Sequence, residues 1–67
     1  MSWRAGAMLF REIWPQIQVH VPEANFRQEF VRDLLRFFMD CDMDGVDVRR
    51  VHPEIDKALD DLGVGEG

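Results

Sequence analysis

Residues 26–41, FRQEFVRDLLRFFMDC, decide how this chain can fold. Coiled into a helix, they bring Phe26, Phe30, Leu34, Phe37, Phe38 and Cys41 onto one stripe. Val31 and Leu35 widen that stripe to about half the circumference, where an ordinary surface helix shows an apolar arc of roughly 100°. The opposite side carries Glu29, Arg32, Asp33, Arg36 and Asp40. So wide an arc needs cover from more than one neighbour. The expectation is a central helix over 23–40, its phenylalanines kept dry by the rest of the polypeptide.

Upstream, Phe10, Ile13, Trp14, Ile17 and Val21 share a helical stripe, which Leu9 extends. Pro15 interrupts it and removes one helical hydrogen bond, to the Arg11 carbonyl. Two readings follow. The helix runs over 8–20 with a kink at Pro15, or it stops near Trp14 and residues 17–21, IQVHV, continue as a strand. Any such strand would have only the very short 46–48 segment to pair with, and two strands alone are marginal. The kinked helix is therefore preferred. Pro22 breaks the chain before the central helix, and Glu23 complements the positive helix start. Downstream, Pro53 opens a third helix over 53–62, with Ile55, Ala58, Leu59 and Leu62 on one side and Gly63 placed to stop it. Between them, 46–51 is read as a short helical turn capped by Asp44 or Asp47. The architecture expected is an all-α, three-helix domain spanning 1–67, with 1–7 and 63–67 flexible.

Composition limits the chemistry. The chain has 67 residues, 46% of them hydrophobic, one cysteine and a formal charge of −5. Cores this small rarely supply more than about 3–5 kcal/mol, so self-association is a natural way to gain buried area. A homodimer or another protein partner is expected. The charge disfavours direct binding to nucleic acid or to an anionic membrane, and no apolar run approaches the roughly 20 residues of a membrane span. No signal-peptide pattern is read, and a lone cysteine suits a cytoplasmic location. Ser2 is the only serine, Thr and Tyr are absent, and no Cys/His spacing fits zinc, so catalysis is not expected. Cys41, at the end of the apolar stripe, is read as a buried thiol. Trp14, Phe30, Phe37 and Phe38 are read as core, whereas Trp3, Phe10 and Phe26, nearer helix starts, are candidate anchors for a protein partner.

One short run stands apart. Asp40, Asp42 and Asp44 alternate with other residues and precede Gly45. This D-x-D-x-D-G resembles the first half of an EF-hand calcium loop. The resemblance implies Asp40, Asp42 and Asp44 as oxygen ligands, the Val46 carbonyl as a fourth, and Gly45 as the sharp turn. It covers seven residues and fails in the second half, where Val51 stands in place of the bidentate Glu and Glu54 lies three residues too far on. A weak calcium or magnesium site is what the run can offer. Asp40 and Asp42 also oppose the helix macrodipole, which invites a cation or a basic partner. The function read from the sequence is thus a non-catalytic interaction or accessory protein. The alternatives are a weak divalent-cation site or an acidic inhibitor of a nucleic-acid-binding protein.

Overall fold

A computed structural model describes residues 3–65. Among them the chain is all-helical: α1 (Arg4–His20), α2 (Ala24–Asp40), a 3-10 turn (Gly45–Val48) and α3 (Pro53–Asp61) follow in order. Residues 17–20 belong to α1, so the strand alternative for 17–21 does not hold. Pro15 does not end the helix either. Pro15 and Arg11 are both exposed, so the carbonyl deprived of its donor has water at hand.

α1 starts at Arg4 rather than near residue 8, and residues 3–7 of the segment expected to be flexible are packed down; residues 1–2 and 66–67, also expected to be flexible, lie outside the described residues. The cause is a close approach at Gly6. The Trp3 indole lies directly against it, and a Cβ there would collide with the ring. Trp3 also donates its backbone N–H to the Asp42 carbonyl at 2.6 Å. Its ring leans on Phe38, with centroids 5.6 Å apart. At the other end, Val64 packs against the core although 63–67 was expected to be flexible.

One buried cluster joins the helices. It contains Ala7, Phe10, Trp14 and Ile17 of α1, Val31 and Leu35 of α2, and Ile55, Ala58 and Leu59 of α3. Met43 and Val48 complete it from the connecting segment. Phe10 meets Phe38 edge-on at 5.3 Å, an arrangement that suits the ring quadrupoles. Gly45 sits inside this packing. A Cβ on it would meet Met39 Sδ at 3.0 Å and Leu59 Cδ2 at 3.1 Å.

The central expectation needs correction here. α2 does not bury the stripe of Phe26, Phe30 and Phe37; it buries Val31 and Leu35, which had seemed only to widen it. Leu34 and Phe38 are half-buried, and Cys41 is exposed rather than a buried thiol. The rotation of α2 is held by Arg27. Its Nε donates to Glu54 Oε1 (3.0 Å) and its Nη2 to Glu54 Oε2 (3.0 Å). Its Nη1 donates to the Val21 carbonyl (2.9 Å). One guanidinium thus ties the α1–α2 corner to the first turn of α3, while Glu54 complements the positive start of that helix.

Two helix ends close alike. After α2, Asp42 N–H donates to the Met39 carbonyl and Met43 N–H to that of Phe38. After α3, Gly63 and Val64 repeat the pattern on Asp60 and Leu59. Both turns need a left-handed residue, supplied by Gly63 (φ 77°) and by Asp42 (φ 77°). The sharp turn after α2 therefore falls on Asp42, and the EF-hand-like assignment of it to Gly45 is incorrect.

Two stability measurements test this account. Phe10→Ala removes a fully buried ring and should cost about 3–5 kcal/mol. That is comparable with the whole stability of a chain this size, so the variant should lose its cooperative thermal transition by circular dichroism. Arg27→Lys keeps the charge but cannot form the fork. Urea titration should show a loss of about 1–3 kcal/mol, and an unchanged midpoint would remove Arg27 from its place as the clamp.

Candidate functional site

Once Arg27 has pointed Val31 and Leu35 inward, the residues a third of a turn or more away have nothing to pack against. Phe26 is left 67% exposed, Phe30 44% and Phe37 66%. They stand on one side of α2, four and seven residues apart, as a continuous aromatic ridge. Contiguous apolar patches of this kind on a soluble protein mark interaction surfaces. Along one flank run Glu29, Asp33, Arg36 and Asp40, again at helical spacing. Arg36 Nη1 lies 3.7 Å from Asp33 Oδ1, with both side chains well exposed. Phe37, Asp33, Arg36 and Asp40 together line a shallow depression of about 210 Å³. Small-molecule pockets usually hold about 300–1,000 Å³ and enclose their ligand.

The anchors named from the sequence fare differently. Phe26 belongs to the ridge. Phe10 is completely buried and cannot meet a partner, because it fills the space between α1 and Phe38. Trp3 is half-buried, held over Gly6 and against Phe38, and is a structural lid rather than an anchor. Phe30 and Phe37, read as core, are instead the rest of the ridge. The missed signal was the excess itself: the eight large apolar residues on α2 exceed what α1 and the short α3 can cover.

The structure does not bring Asp40, Asp42 and Asp44 together as one ligand set. Among the described residues no group of three or more His, Cys, Asp or Glu side chains is placed to hold an ion. Asp44 has a structural task, accepting from the Val46 N–H (3.1 Å) as the cap of the 3-10 turn. Arg49 reaches Asp60 Oδ1 (2.7 Å) and the Val64 carbonyl (2.7 Å) at the end of α3. His52 is also structural. Its Nδ1 accepts from the Glu54 N–H (3.1 Å), which caps α3, and its ring lies 5.0 Å from that of Trp14.

A second depression, about 250 Å³, is lined by Arg4, Ala7, Met8, Arg11 and Asp47. Arg11 is engaged there, donating to the Asp47 carbonyl at 2.7 Å. No described helix is long and apolar enough to cross a membrane. Comparison of the chain with known protein families, curated proteins and solved structures finds no match.

The ridge carries no weight in the monomer's core. At a concentration where the chain is monomeric, replacing both Phe26 and Phe37 with Ser should therefore leave the melting temperature within about 4 °C of wild type, an error band of roughly 0.5 kcal/mol for surface changes in a domain this size. A fall as large as that expected of a core phenylalanine would mean the ridge is packed after all.

Proposed function

We propose that this chain is a non-catalytic interaction module that docks a protein partner through the outer face of α2. The observation behind this reading is the exposure of Phe26, Phe30 and Phe37 on one continuous face. Aromatic side chains are effective anchors because they bring large rigid area at little entropic cost. Two features favour a protein over a small ligand. The depression beside Phe37, about 210 Å³, is smaller than ordinary small-molecule pockets, and the polar groups lie along a flank of the ridge. Net charge is the only feature that speaks for the acidic-inhibitor alternative.

A photo-activated benzophenone amino acid in place of Phe37 tests the reading in cells. Illumination should yield a discrete adduct from position 37. The same probe at Glu12, on the exposed side of α1, should yield none. No adduct from position 37, or an equal adduct from both positions, overturns the assignment.

A further inference from the structure

We infer that the partner seated on the α2 ridge is a second copy of this chain, related by a two-fold axis near residue 34, with the two α2 helices antiparallel. This rests on the docking role proposed for the ridge and adds the occupant.

The first argument is area. With the exposures above, the three rings leave roughly 250–450 Å² of aromatic surface open on each copy. Two copies together bring roughly 500–900 Å². A small specific interface buries about 1,200 Å², and the core of such a patch is about 65% apolar. Ridge against ridge therefore supplies about the apolar surface that a minimal stable dimer needs. Leu34 and Cys41 border the contact.

The second argument is self-complementarity. An isologous contact requires each feature to find its counterpart when the sequence direction is reversed about one point. Phe30 and Phe37 are centred between residues 33 and 34. Asp33 and Arg36 are centred between 34 and 35. The two centres differ by one residue, about 1.5 Å along the helix. A single axis therefore sets Phe30 beside Phe37 of the second copy. It also sets Asp33 beside Arg36 of the second copy, so the ion pair now 3.7 Å long within one helix can be shared across the interface. Arg36 stands among Glu29, Asp33 and Asp40 on this flank, and the two-fold gives it a carboxylate of the second copy as counterpart. The same symmetry brings Asp40 beside Glu29 of the second copy at the wet rim, where screening softens the repulsion.

Sedimentation equilibrium of the full chain at neutral pH, from micromolar to millimolar, should give twice the mass of one chain. Phe37→Asp should weaken association roughly 30-fold or more while circular dichroism stays native. Asp40→Lys should tighten it, because the rim repulsion with Glu29 becomes an attraction. A nitroxide on the exposed Cys41, mixed with isotope-labelled unmodified chain, should broaden amides near Phe26 of the other copy. Broadening centred on Cys41 instead, or no tightening by Asp40→Lys, overturns the antiparallel arrangement. A strict monomer at millimolar concentration overturns the second copy as occupant. If Phe37 then still cross-links to a protein of another mass, the docking role stands and self-pairing alone falls; a monomer with no adduct removes both.

Discussion

The fork between Arg27 and Glu54 sets the rotation of α2, and with it the division between what is core and what is surface. A helix with apolar residues around half its circumference has more than one way to pack. Burying the three phenylalanines would satisfy the hydrophobic effect at least as well as burying Val31 and Leu35. But Arg27 is one turn before Val31, and its guanidinium has to reach Glu54 Oε1 and Oε2 together with the Val21 carbonyl. Those bonds are directional, and the pair is mostly shielded from water, at 14% and 23% exposure. Burial is insensitive to orientation, so the oriented contact decides.

The aromatic cluster at the opposite end reinforces that choice. Phe38 lies between Trp3 and Phe10, and Met43 follows it into the core through the left-handed turn at Asp42. Turning α2 toward the phenylalanine ridge would pull Phe38 from between these rings and carry the chain exit with it. The start of α2 is thus fixed by Glu54 of α3 and the Val21 carbonyl, and its end by Trp3 and Phe10. What is left over is a ridge that two neighbours are too few to cover. The candidate interaction surface is a consequence of how the core closes.

Much of the element pattern was legible from the chain. Pro22 breaks the chain before α2 and Pro53 begins α3 where expected, Gly63 ends α3, and Asp44 caps the turn after α2. These signals act through the few residues beside them, so no knowledge of distant partners is needed. The errors share one cause, because each concerns a side chain whose environment comes from far along the sequence. Gly6 falls in the segment expected to be flexible, but its missing Cβ makes room for Trp3. Gly45 was assigned the sharp turn, but its missing Cβ makes room for Met39 and Leu59. Phe10 looked peripheral because it is near a helix start, yet it lies between α1 and Phe38.

By itself, then, the sequence determined three helices, their breaks, and an apolar excess on the central one. Periodicity, proline and glycine act locally, and composition adds up without regard to place. Which arc of α2 turns inward was decided only by the tertiary structure. That choice depends on a fork between residues twenty-seven positions apart, and periodicity carries no record of which distant carboxylate an arginine will meet.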